Sequence, residues 1–124
     1  MIHDNLVFII DDDLLQNEIH ELILLKSIPD IDVKSFVNGR EALSYMDKNG
    51  APQIIFLDIH IPGEDETTFL KGFKSRGLES EIYLMSSMPY LENQSIYADF
   101  PAIKDFISKP LLGNKIKHLF NHYA

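Results

Sequence analysis

Leu6-Val7-Phe8-Ile9-Ile10 is an unbroken apolar run that stops at three consecutive carboxylates, Asp11-Asp12-Asp13. A short continuous run of this kind, rich in β-branched side chains, suits a strand buried on both faces of a parallel sheet. Working outward from it, the same figure recurs. Ile54-Ile55-Phe56-Leu57 ends in Asp58, Glu81 to Met85 ends in Ser86-Ser87, and Asp105 to Ser108 ends in Lys109-Pro110. A further strand is expected over Val33 to Val37.

Between these runs the periodicity changes. Leu15, Ile19, Leu22 and Ile23 recur at helical spacing with Gln16, Asn17, Glu18 and Glu21 between them, until Pro29-Asp30 ends the helix. Asn38-Gly39 turns into a helix around Glu41 to Lys48, which Asn49-Gly50 closes. Pro62-Gly63 marks a loop before a helix over Thr67 to Ser75. A weaker helix is expected over about Tyr90 to Asp99, and a terminal one over Leu111 to Tyr123 with Ile116, Leu119 and Phe120 inward. Strand and helix thus alternate five times, which implies an α/β fold: a doubly wound, five-stranded parallel sheet flanked by five helices. Ligands of such folds bind beyond the carboxyl ends of the strands. Asp11, Asp12, Asp58, Ser86 and Lys109 all follow apolar runs, so they are expected to gather at that edge.

The bulk properties agree. At 124 residues the chain is the size of one domain, 1–124, with 45% hydrophobic and 24% charged residues, enough for a core that needs no staples. It has no cysteine, which excludes disulfides, thiolate metal sites and cysteine nucleophiles and fits a cytoplasmic location. No apolar run approaches the roughly 18 residues that span a bilayer, so no membrane insertion is expected. The first five residues carry no basic region of a signal peptide. A net charge of −8 repels a phosphate backbone, so direct nucleic-acid binding is disfavoured and cations or basic partners are favoured.

Three carboxylates at one sheet edge repel one another unless a cation or a proton intervenes. An oxygen-only set suits a hard cation, and magnesium takes one or two carboxylates while keeping several waters. Seen alone, Asp11-Asp12 reads equally as a metal site or as an acidic helix cap, and Asp13 reads as the cap. Lys109 breaks the tie, because a lysine fixed by a following proline sets an ammonium beside the carboxylates, where Asp58 is its expected partner. A nucleophilic carboxylate, a hydroxyl, an ammonium and a metal together meet the needs of phosphoryl transfer, which depends on positioning and on neutralising oxygen charge.

The stretches FIIDDD, IIFLDIHIPG, LMSS and FISKP resemble, in order and separation, the signature segments of response-regulator receiver domains of two-component signalling, along essentially the whole chain. The resemblance implies a flavodoxin-like sheet of strand order 2-1-3-4-5 and a signalling phosphoacceptor, not an enzyme, that assists its own phosphorylation and dephosphorylation. It places the acceptor on Asp58, the acidic pair on Asp11 and Asp12, the switch hydroxyl on Ser86, the lysine on Lys109 and the aromatic switch on Phe106. Mg2+ would be held by Asp12, Asp58 and the backbone carbonyl of His60, with Asp11 acting mainly through water. The phosphoryl group would come from a histidine kinase or histidine phosphotransfer protein. Ser86 moving toward it would let Phe106 turn inward and remodel a protein-binding face. The lysine–proline peptide is usually cis in this family.

The chain departs from the family pattern at Glu66, where many receivers have glycine, and at Met88-Pro89. Both bear on kinetics and partner choice more than on the chemistry. Two rival readings differ in the residue that reacts. A pseudo-receiver would signal without phosphorylation. A haloacid-dehalogenase-like phosphatase would use Asp11 of Asp11-x-Asp13, although Leu15 stands where that family has threonine or valine and no cap segment is present.

Overall fold

The computed structural model describes residues 2–59, 66–86 and 96–120. Five parallel strands, β1 (Ile2–Ile10), β2 (Asp32–Phe36), β3 (Ala51–Asp58), β4 (Glu81–Ser86) and β5 (Ile103–Ser108), form one sheet in the order β2-β1-β3-β4-β5. The helices are α1 (Leu14–Ser27), α2 (Gly39–Asn49), α3 (Glu66–Ser75), α4 (Ile96–Asp99) and α5 (Gly113–Phe120).

Alternate strand residues feed two cores because successive side chains point to opposite faces. On one face Phe8, Ile10, Ile55, Leu57, Ile82 and Leu84 pack with Ala42 and Met46 of α2 and Phe69, Leu70 and Phe73 of α3. On the other, Val7, Ile9, Ile54, Phe56, Met85 and Ile107 pack with Leu24 of α1 and with Ile116, Leu119 and Phe120 of α5. The continuous apolar runs of β1 and β3 are therefore buried on both sides, as their composition requires.

Three expectations need correction. The expectation of five flanking helices is not met: among the described residues there are four helices of eight residues or more, and α4 is a single turn. Most of the expected helix over Tyr90 to Asp99, with Met88-Pro89 before it, lies outside the described residues. Strand ends also shift: β1 begins at Ile2, β2 spans Asp32–Phe36, β3 runs back to Ala51 and β5 starts at Ile103, since ladder pairing extends past the apolar stretch.

The third correction concerns α1. Most of its expected apolar stripe does not face the sheet: Leu15, Ile19 and Leu22 are 64%, 42% and 59% exposed, Ile23 is half-buried against the core, and Asn17, His20 and Leu24 are buried. Asn17, His20 and Leu24 stand at i, i+3 and i+7, one helical face. Each polar member of that face makes one hydrogen bond to a neighbouring turn, whereas Asn17 Oδ1 and His20 Nδ1 are buried without a hydrogen-bond partner among the described residues. Asp13 caps the helix, its side chain accepting the N–H groups of Leu15 and Gln16 at 3.0 and 3.2 Å, which is the role expected of it.

Candidate functional site

The sheet order reverses direction between β1 and β3, and the crevice beyond their carboxyl ends is where the polar residues collect. Register does the placing. Ile10 pairs with Leu57, so Asp11 and Asp58 leave adjacent strands at the same level. Asp58 pairs with Met85, and Ser86 with Ser108, which sets Ser86 and Lys109 at the ends of the next two strands. The Lys109 amide then donates to the Ser86 carbonyl at 2.9 Å, and the Lys109-Pro110 peptide is cis.

Asp11, Asp58 and Ser86 are buried, whereas Asp12 stands at the exposed rim. Lys109 Nζ donates to Asp11 Oδ2 at 2.8 Å and lies 3.3 Å from Asp58 Oδ1. The expected pairing with Asp58 is therefore present, but the shorter contact is to Asp11. Burial pulls the Lys109 pKa down, yet the hydrogen bond to Asp11 and the charges of Asp58 and Asp11 outweigh it and hold the ammonium above its ordinary value. One carboxylate oxygen from each of Asp11, Asp12 and Asp58 lies within 4.8 Å of the others, a spacing that would let one ion meet all three. Three carboxylates and one ammonium leave two negative charges, the complement of one divalent cation.

The turn carrying Asp11 is tied down on several sides. The Asp11 amide donates to the Phe36 carbonyl at 2.9 Å, and the Asp13 amide donates to Asp11 Oδ1 at 3.0 Å. Asn17 Nδ2 donates to the Asp11 carbonyl at 2.9 Å. The other wall is built from His20, whose Nε2 accepts the Leu111 amide at 3.2 Å. His20 is held below its ordinary pKa by burial and then by the Lys109 charge, with Asp11 opposing, so the ring is neutral. Gln16, Ile19, His20, Lys109 and Pro110 line a cavity of about 230 Å3 beside the site.

Asp11, Asp12, Asp58 and Lys109 are thus brought together as expected, and Ser86 stands on the adjoining strand end. Phe106 pairs with Leu84 on β5 and is half-buried against the core that faces α2 and α3. His60, with its carbonyl, lies outside the described residues, and so do the side chain of Glu66 and Ser87. Asn17 and His20 were not singled out by sequence reasoning. The available signal was that they share a helical face with Leu24, which placed two polar side chains toward the core.

No helix among the described residues is long and apolar enough to cross a membrane. A family model described as response regulator receiver domain matches residues 7–121. Similar solved structures include a two component response regulator from Cytophaga hutchinsonii, 26% identical, with a TM-score of 0.81 and 94% of each chain covered. A response regulator receiver domain protein (CheY-like) from Methanospirillum hungatei JF-1 is 21% identical, with a TM-score of 0.76 over 98% of this chain and 94% of that one. A receiver domain (CheY-like) from Methylobacillus flagellatus is 15% identical, with a TM-score of 0.80 over 97% and 98% of the two chains. No curated protein matches the chain.

Proposed function

The chain belongs to the response regulator receiver domain family, and from that premise we propose that Asp58 accepts a phosphoryl group from the phosphohistidine of a histidine kinase or phosphotransfer protein, in a reaction that requires Mg2+. The observation that carries this reading is the bridged arrangement of Lys109 between Asp11 and Asp58, with Asp12 at the rim.

The donor set fits magnesium: three carboxylates, no thiolate and no imidazole, gathered within 4.8 Å and two charges short of neutrality. Asp12 and Asp58 would hold the ion together with the His60 carbonyl that the family resemblance implies, and Asp11 would act mainly through water. When bound, it neutralises charge on the phosphoryl oxygens. The remaining chemistry belongs to the side chains. An Asp58 oxygen forms a bond to phosphorus as the phosphorus–nitrogen bond of the donor breaks, and the departing imidazole takes up a proton from solvent. Lys109, already beside Asp58, holds one phosphoryl oxygen, and the Ser86 hydroxyl moves in to donate to another.

The switch follows from Ser86 and Phe106 standing on neighbouring strands. Movement of Ser86 toward the phosphoryl group frees space into which Phe106 turns, altering the surface around β5 and α5 that a target protein reads. Phe106 is half-buried against the core that faces α2 and α3, so an inward turn would bury more of its ring.

The test is a mass measurement after incubation with phosphoramidate and Mg2+, for the wild-type chain and Asp58→Asn. The expected result is one phosphoryl group on the wild type only, lost when EDTA replaces Mg2+. Uptake by neither protein would favour a pseudo-receiver, and uptake by both would move the nucleophile, with Asp11 the first to test.

A further inference from the structure

The charges of the site come from the ends of β1, β3 and β5, and α1 touches the first and the last of these turns. Its inward face does so with polar side chains. Asn17 Nδ2 donates to the carbonyl of Asp11, and His20 Nε2 accepts the amide of Leu111, two residues beyond Lys109. Both side chains are buried, Asn17 at 3% and His20 at 1% exposed. A helix with apolar residues to spare spends its core-facing positions on an amide and an imidazole, while Leu15, Ile19 and Leu22 stand in solvent. Stability alone does not favour that choice, because leucine at position 20 would bury more apolar surface with no polar group to satisfy.

We propose that His20 is a positioning residue for Lys109: by accepting the Leu111 amide it fixes the turn from which the ammonium reaches Asp11 and Asp58. The side chains of Gln16, Ile19, His20, Lys109 and Pro110 line one cavity together, so His20 stands beside the turn that carries the ammonium. With Nε2 accepting, the ring proton lies on Nδ1, the tautomer of a neutral imidazole. Asn17 plays the matching part for Asp11, and α1 is then a strut between the two charged turns. An ammonium that must sit 2.8 Å from one carboxylate and 3.3 Å from another tolerates little displacement, and a shift of about 1 Å in a positioned group can cost a hundredfold in rate.

The consequence for the phosphoryl reaction rests on the acceptor reading above; the geometry does not. The experiment therefore has two arms, run on the full chain as wild type, His20→Leu and His20→Gln. Glutamine keeps an acceptor oxygen at similar reach and leucine keeps the bulk without one. The first arm is hydrogen exchange of the Leu111 amide with the Lys109 Cε shift by NMR. The second is the phosphoramidate rate, measured beside Mg2+ affinity. His20→Leu is expected to speed Leu111 exchange by about tenfold or more, shift the Lys109 resonance and slow phosphorylation about tenfold, with Mg2+ affinity within about threefold of wild type. His20→Gln is expected to restore most of both.

Unchanged Leu111 exchange and rate in His20→Leu would overturn the inference. So would a loss of rate, Mg2+ affinity and β4 amide protection together with no rescue by glutamine, since that pattern marks a merely structural residue. If His20→Leu does not fold, His20→Asn, which is polar but too short to reach, takes its place. A wild-type chain that takes up no phosphoryl group would sink the acceptor reading, and Leu111 exchange with the Lys109 shift would still decide the role of His20.

Discussion

Replacing Lys109 with methionine keeps most of the side-chain volume and removes the charge, which isolates what the ammonium does. It leaves Asp11 and Asp58 facing one another without the group that stands 2.8 and 3.3 Å from them. Breaking a buried ion pair from one side costs about 3–5 kcal/mol, because the remaining charge is stranded. The site opens to solvent at Asp12, so the lower end applies, about 3 kcal/mol at pH 7 without metal. For a chain of 124 residues that is roughly a 10 °C fall in Tm. Two signatures separate this from a generic packing loss. The deficit should shrink in saturating Mg2+, which supplies the missing positive charge, and Mg2+ should bind about tenfold tighter than to the wild type. In the wild type the raised Lys109 pKa means that its contribution is complete at and below the ordinary lysine value and is lost only as pH rises through the higher folded one. Urea unfolding with and without about 10 mM Mg2+ and titration calorimetry read both. A deficit below about 1 kcal/mol, or one unchanged by Mg2+, would refute the charge-balance account.

Three further outcomes follow from the same structure. Leu24→Ala should cost about 2–5 kcal/mol in urea unfolding while Leu22→Ala, two residues away but 59% exposed, stays within about 0.5 kcal/mol; equal losses would mean that α1 is rotated from the orientation described. Tyr83, whose pKa burial and then Glu81 push up to about 12, must lose its proton at a lower pH when unfolded, so stability should fall between about pH 10 and pH 12 and Tyr83→Phe should flatten that slope. Asp13→Ala removes the cap of α1 and should lower stability by about 1 kcal/mol with no effect on Mg2+ affinity; a large loss of Mg2+ binding would place Asp13 among the ligands.

Much of this arrangement was readable from residues alone because strand ends are sharply marked. Each apolar run stops at the residue the site uses, and parallel topology then forces Asp11, Asp58, Ser86 and Lys109 to one edge. The resemblance added strand order and residue roles that spacing does not contain. What escaped was α1. Periodicity reports that a helix has an apolar stripe, not which neighbour the stripe faces, and the choice here was made by hydrogen bonds to Asp11 and Leu111 that link positions far apart in sequence. The preference of Lys109 for Asp11 escaped for a related reason, since fractions of an ångström between two carboxylates are decided by the packing of the turns. Strand limits moved because backbone pairing continues into residues such as Pro52, whose side chain gives no strand signal.

The contact between Asp11 and Lys109 joins residues 98 positions apart. Closing so long a segment costs chain entropy that only the docking of every strand in between can offset. The acidic pocket therefore does not exist in a partly folded chain: one emerging from the ribosome, or one frayed at β5, has its aspartates but not the ammonium that gathers them. Responsiveness is thereby tied to completion. If Asp58 is the acceptor proposed above, a substitution that loosens the last strand should lower phosphorylation before it unfolds the protein.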